Sequence, residues 1–323
     1  RNNTTAVVEG RDRLTIEASF CLAQPPLPTN LFVCRLGATY LHHPSKIVTT
    51  AEDLLLFRVP VAVGPPPDFV KLENCDYIIY RAGGVPSLTL IPNPKPSLYD
   101  GEVGLLRRAG DLFTVAALVG RPVENEYMLH RFDSEVGKWT LKTVCLETPR
   151  KPFPVRIPIS ALRLNHHITT TVITLGGEAG TMGWVDLWSG ILLYDMFPVD
   201  SQRAVLRHMP LPLPMHAITS KRRLTELGCP ADCRGIASVV KDDDDIETDM
   251  PCYVVENWAL TVWSNNKMGY SDCYKDWQED FTVWASEIRI SDTVRSELLT
   301  SGLLQRNPST ESCCVGAQAQ PEW

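Results

Sequence analysis

The sequence predicts an all-β protein of antiparallel, blade-like sheets, on three observations. Short apolar or alternating runs recur along the chain, each of strand length. The 25 Pro and 20 Gly punctuate those runs too often for long helices. Almost no stretch between them carries a helical period, which argues against a parallel sheet with crossover helices.

Taken in order, the first clear run is Leu54-Leu55-Leu56-Phe57-Arg58-Val59. Tyr77-Ile78-Ile79-Tyr80 and Ser87-Leu88-Thr89-Leu90-Ile91 follow, closed by Pro92, Pro94 and Pro96. Val103 to Arg108 turns through Ala109-Gly110-Asp111 into Leu112 to Val119. Tyr127 to Phe132 and Lys138 to Val144 flank Asp133-Ser134-Glu135-Val136-Gly137, the pattern of a hairpin with glycine near the end of its turn. Ile168 to Thr174 is rich in β-branched residues. Gly183 to Trp188 and Ile191 to Met196 then surround Ser189-Gly190, and Ala204 to Met209 ends at Pro210, Pro212 and Pro214. Gly235–Val240, Cys252–Val255, Trp258–Trp263 and Phe281–Ala285 complete the set. Thr293 to Leu304 is the best helical stretch, with apolar Val294, Leu298, Leu299 and Leu303.

A loose unit emerges of three or four strands followed by a proline-rich exit. Such a sheet is small enough to need neighbours on its faces, as in a propeller blade. The spacing is irregular, so the expected architecture is an incomplete or irregular β-propeller, with a β-sandwich as the alternative. The expected organisation is an N-terminal extension over 1–17, a propeller-like domain over 18–304, and a polar, disordered tail over 305–323.

Composition removes several function classes. A net charge of −7 disfavours a nucleic-acid binder, which needs clustered Lys and Arg to neutralise phosphates. No run approaches the length of an apolar membrane span, so no membrane partner is expected. The ten cysteines are too sparse for a secreted disulfide scaffold of this length. Several, such as Cys145, sit in apolar strand-like segments where a thiol serves as a small buried hydrophobe. A reducing compartment follows, cytoplasmic or nuclear.

Chemical motifs are weak. The loop Leu175 to Gly183 is glycine-rich, yet it leads into a strand and carries no Lys, so it is not a phosphate loop. Cys229 and Cys233 have zinc-compatible spacing but lack a second close pair, so no metal is expected. The adjacent pairs His42-His43 and His166-His167 would face opposite ways on a strand and chelate poorly. No nucleophile elbow or nucleophile–base–orienter set occurs, so no catalytic residue and no cofactor are assigned. Asp186 reads as a turn-facing acid bonded to nearby backbone. The tryptophans in or beside strands, Trp184, Trp188, Trp258, Trp263 and Trp284, suit packing between sheets.

The segments ASFCLAQPPLPTNLFVCR, DYIIYRAGGVPSLTLIPNP, GWVDLWSGILLYDM and LRHMPLPLP carry a likeness. Over residues 18 to 291 the chain resembles the plant family labelled domain of unknown function 1618, expanded in grasses. Its members resemble F-box-associated β-propellers in strand pattern, although no F-box motif precedes the domain here. Members typically continue in further strands, whereas this chain passes into an unlike tail, as truncation or altered splicing would produce. The resemblance implies a fold and a plant source, not a mechanism.

The expected function is a non-enzymatic interaction module for an unknown protein partner, because loops on rigid scaffolds carry binding. The expected contact loops hold Gly176, Gly177 and Glu178, and the acidic run with Asp242, Asp243, Asp244 and Asp245. That run otherwise reads as a solvated loop. One alternative is a hydrolase or carbohydrate-active propeller using Asp186 or Asp195. A second is a truncated, non-functional family member with exposed sheet edges.

Overall fold

The structure is a computed structural model that describes residues 2–24, 29–37, 44–61, 75–147, 167–187, 189–198, 205–211, 259–265, 276–284, 304–306 and 313–315. Their regular secondary structure is almost entirely β. The expected runs at 235–240 and 252–255, and the expected helix up to residue 303, lie outside them.

Three four-stranded antiparallel meanders make up most of the described chain. The first joins β4 (Lys46–Ala51), β5 (Leu54–Pro60), β6 (Cys75–Arg81) and β7 (Ser87–Ile91) in that order. The second joins β8 (Val103–Arg107), β9 (Phe113–Gly120), β10 (Glu126–Asp133) and β11 (Lys138–Cys145). The third joins β12 (Thr171–Gly176), β13 (Thr181–Asp186), β14 (Gly190–Asp195) and β15 (Arg207–Met209). The hairpin expected across Asp133–Gly137 forms with Asp133 opposite Lys138 and Glu126 opposite Cys145.

Before them lies a three-stranded sheet of β1 (Ala6–Glu9), β2 (Thr15–Cys21) and β3 (Asn30–Arg35). After them come two hairpins, β16 (Ala259–Ser264) with β17 (Gln278–Trp284), and β18 (Leu304–Arg306) with β19 (Cys313–Val315). The last of these falls largely within the stretch whose composition suggested a disordered tail.

The chain divides into two compact units. One comprises Arg1–Ser19, Phe32–Val240 and Lys267–Asp276, and the other Phe20–Leu31, Lys241–Asn266 and Trp277–Trp323. All three meanders belong to the first, and both late hairpins to the second.

Within the first unit the meanders stack face to face, and the period-2 geometry of strands decides which residue goes where. In the β8–β11 sheet, Val103, Leu105, Phe113, Val115, Ala117 and Phe132 pack with Leu54, Leu56, Cys75, Tyr77 and Ile79 of the sheet before it. Their alternates Leu106, Ala116, Leu118, Tyr127 and Leu129 pack with Met182, Trp184, Leu192 and Tyr194 of the sheet after it. Burial on both faces explains why β5, β6, β9 and β14 read as near-continuous apolar runs. A middle sheet covered on both faces also makes three layers, where a sandwich has two.

The first strands of the meanders run side by side, β8 lying against both β4 and β12. Gly104 on β8 permits this approach, since a Cβ there would fall 2.4 Å from Met182 Cε and 2.5 Å from Val172 Cγ1. The described chain is thus all-β and antiparallel, as the sequence predicts, in an irregular stack of small sheets.

Two buried polar clusters pin the stack. Even-numbered residues of β6 face away from the β8–β11 sheet, and there Asp76 and Arg35, both with fully buried side chains, meet at 2.7 Å. Arg11 Nε reaches the other Asp76 oxygen at 2.5 Å, and Asp12 lies 2.6 Å from Arg35 Nη1. Tyr80 Oη donates to the Thr4 carbonyl at 2.7 Å from the same face. On the other side of the stack, Trp184 is fully buried and its Nε1–H donates to the Glu102 carbonyl at 2.9 Å. Burial pushes the Glu102 carboxyl above its ordinary value, with a backbone hydrogen bond at Tyr99 acting against it. Its Oε2 is buried without a hydrogen-bond partner among the described residues.

Among the cysteines with described side chains, Cys75 is buried, while Cys21, Cys34 and Cys145 are exposed, and all four are free thiols. Cys145 therefore departs from the buried role its sequence suggested. It ends the outermost strand β11, where alternation turns Val144 inward and Cys145 outward. No helix among the described residues is long and apolar enough to cross a membrane.

Candidate functional site

The tips of the three meanders meet around one open groove of about 650 Å³. Each wall comes from a connection next to a first strand, so the side-by-side strands β4, β8 and β12 put the tips together.

The first wall is the β4–β5 turn. Ala51 pairs with Leu54, leaving Glu52 and Asp53 to reverse the chain, and Glu52 takes a positive φ of 52°. This throws the Glu52 side chain outward, while Asp53 turns toward Arg107 and Arg81 at 2.8 and 3.2 Å. Burial alone would raise the Asp53 carboxyl, but the Arg107 hydrogen bond and the two guanidinium charges outweigh it and hold the group below its usual value.

The second wall is the end of β8. Arg107 bonds Asp53 and also donates to the carbonyls of Arg108, Gly110 and Leu112, fixing the β8–β9 turn. Arg108 lies over the Phe197 ring at 4.4 Å, and Arg131 lies over it at 4.6 Å. Arg108 also approaches Glu135 at 3.6 Å and Asp133 at 3.9 Å. Arg131 is held by Asp133 at 2.9 Å.

The third wall is the glycine-rich connection from β12 to β13. Gly176, Gly177 and Gly180 all have positive φ, between 59° and 71°. Gly180 has a second constraint, because a Cβ would lie 2.8 Å from Phe197 and 2.9 Å from Leu106. Thr174 Oγ1 ties this wall to the second by donating to the Leu105 carbonyl at 2.9 Å. Val172, Ile173, Leu175, Leu106 and Phe197 give the groove an apolar lining.

Of the expected contact residues, Gly176, Gly177 and Glu178 line this groove. Asp242, Asp243, Asp244 and Asp245 lie outside the described residues, as do Cys229 and Cys233. The sequence reading missed Glu52, Arg107, Arg108 and Phe197. The one available signal was Arg107-Arg108 directly before the Ala-Gly-Asp turn, which places two guanidiniums at a hairpin tip.

The two carboxylates considered for catalysis are engaged in holding strands. Asp186 Oδ2 accepts from the Ile168 amide at 3.0 Å and Oδ1 from the Ser189 amide at 3.2 Å, so it caps the β13–β14 turn as its sequence suggested. Asp195 accepts from Thr181 Oγ1 at 2.6 Å and from Arg207 Nη2 at 2.9 and 3.0 Å. Among the described residues no three His, Cys, Asp or Glu side chains group as metal ligands.

Residues 184–314 match the family described as Protein of unknown function (DUF1618). The match begins at Trp184, in the Gly-Trp-Val-Asp-Leu-Trp segment, and covers less than half of the chain. It is narrower at its start than the likeness read from the sequence and supplies no activity. No curated protein and no solved structure matches the chain.

Proposed function

We propose that this protein is a non-enzymatic, propeller-like interaction module that docks a protein partner in the groove between its hairpin tips. The observation that carries the reading is the convergence of three successive sheets on one open groove of mixed polar and apolar lining, with the Gly176-Gly177-Glu178 loop on its rim. Loops held by a rigid stack can offer a fixed shape to a partner at little ordering cost. The engagement of Asp186 and Asp195 in turn and strand hydrogen bonds supports the non-enzymatic side of the reading. The family likeness supports a plant, grass-type source, and the free thiols among the described residues support a reducing setting, cytoplasm or nucleus.

The test is affinity capture from grass tissue extract, with the full chain as bait and a groove-filling variant beside it. Thr50 is exposed on β4 and lines the groove, so Thr50→Trp fills it without entering the core. The expected result is a reproducible set of captured proteins that Thr50→Trp loses while its circular dichroism is unchanged. Capture that Thr50→Trp leaves intact, or no reproducible capture at all, would overturn the proposal.

A further inference from the structure

The charge around the groove is unequally shared. Arg81, Arg107, Arg108 and Arg131 are its nearby cations, and each has a carboxylate partner among Asp53, Asp111, Asp133 and Glu135. Arg107 Nη1 donates to backbone carbonyls, and Arg108 lies against Phe197. Glu52 and Glu178 stand on opposite walls, both exposed and both lining the groove. Neither has an ion pair among the described residues. The groove therefore combines apolar patches with two carboxylates that have no ion pair with a cation among the described residues.

From this we infer that the groove selects an extended, basic segment of its protein partner. Lys or Arg heads would meet Glu52 and Glu178, and the aliphatic stems would lie on Val172, Ile173, Leu175 and Phe197. Long basic side chains suit such a site, because their stems bury against apolar surface while the heads stay hydrated. The positive φ at Glu52 and the glycines before Glu178 fix where the two carboxylates stand, so complementary charge gives specificity and register more than raw affinity. The inference rests on the groove being the docking site, and it names the chemistry of what docks.

The test is fluorescence anisotropy of the full chain with two labelled nine-residue peptides. One alternates Arg or Lys with Leu and Val, and the other has Glu at each basic position. A variant with Asp242–Asp245 changed to Asn is run alongside, because an acidic run attracts any basic peptide. The basic peptide is expected to bind the protein and this variant alike, with affinity falling as salt rises, and the acidic peptide is expected not to bind. Glu52→Gln and Glu178→Gln should each weaken binding about two- to five-fold, the range of exposed ion pairs. Glu52→Lys with Glu178→Lys should weaken it at least about tenfold.

Equal binding of the two peptides would overturn the inference. So would basic-peptide binding that disappears with the Asp242–Asp245 change and ignores the glutamate changes. Both Gln variants are near-isosteric and exposed, so the test does not depend on the double reversal folding. Loss of the peptide preference with Thr50→Trp-sensitive capture retained removes only the basic partner and leaves the docking reading standing.

Discussion

The Arg35–Asp76 cluster and the groove rim use the same kinds of side chain to opposite ends. At Asp76 the carboxylate has lost all contact with water, and two guanidiniums meet it at 2.5 and 2.7 Å. At Glu52 and Glu178 the carboxylates are exposed and form no ion pair among the described residues. Desolvating a charge is costly, so an internal carboxylate is tolerated only when paired, and it then fixes the elements that pair it. A solvated carboxylate is under no such demand and is free to be spent on a partner. Charge here holds structure where it is hidden, and on the docking proposal it marks contact where it is open.

The sharpest way to break that contrast is Asp76→Asn, which removes the fully buried partner of Arg35 and leaves it only the partly exposed Asp12. The expected loss is about 3–5 kcal/mol of folding stability, read from the urea midpoint. Replacing both buried partners, Asp76→Leu with Arg35→Met, should lose less than the single change, because the charges then left, Arg11 and Asp12, are partly exposed to water. A smaller loss from Asp76→Asn than from the double change would refute the assignment.

Glu102 is an intermediate case, half-hidden and without an ion pair among the described residues. Its folded carboxyl binds a proton more tightly than the unfolded one, because burial raises it. The stability it contributes is therefore fully present below the ordinary glutamate value and lost as pH rises through the raised folded value. Asp53, held low by Arg107, contributes the opposite trend, so the readout is the difference between wild type and Glu102→Gln across pH. Wild type should lose stability relative to the variant as pH rises above the ordinary glutamate range, and parallel curves would exclude the effect. The smallest change belongs to the rim: Glu52→Gln and Glu178→Gln should each leave folding stability within about 0.5 kcal/mol.

Legibility in the sequence followed burial. Strands covered on both faces, such as Leu54–Pro60 and Phe113–Gly120, stand out as apolar runs. The strands before Leu54 were not picked out in the strand-by-strand reading, for a local reason. Ala6–Glu9 is only 4 residues, and Asn30–Arg35 is mostly exposed or half-exposed. Lys46–Ala51 is likewise partly exposed along its length, so none of these presents a long apolar signature. The glycine-rich loop announced itself because positive φ demands glycine. Glu52, Arg107 and Phe197 did not, because they converge from positions as far apart as residues 52 and 197. Their meeting is set by how β4, β8 and β12 stack, which no local pattern encodes.

The doubly covered β8–β11 sheet also bears on how the chain is born. Every meander is contiguous in sequence, so each can zip up from local hairpins soon after it leaves the ribosome. The face bearing Leu106, Ala116, Leu118 and Leu129 stays wet until Met182, Trp184 and Leu192 have been synthesised. During synthesis that interval is a window for chaperone capture or for adhesion between nascent chains, and it closes only when the third meander arrives.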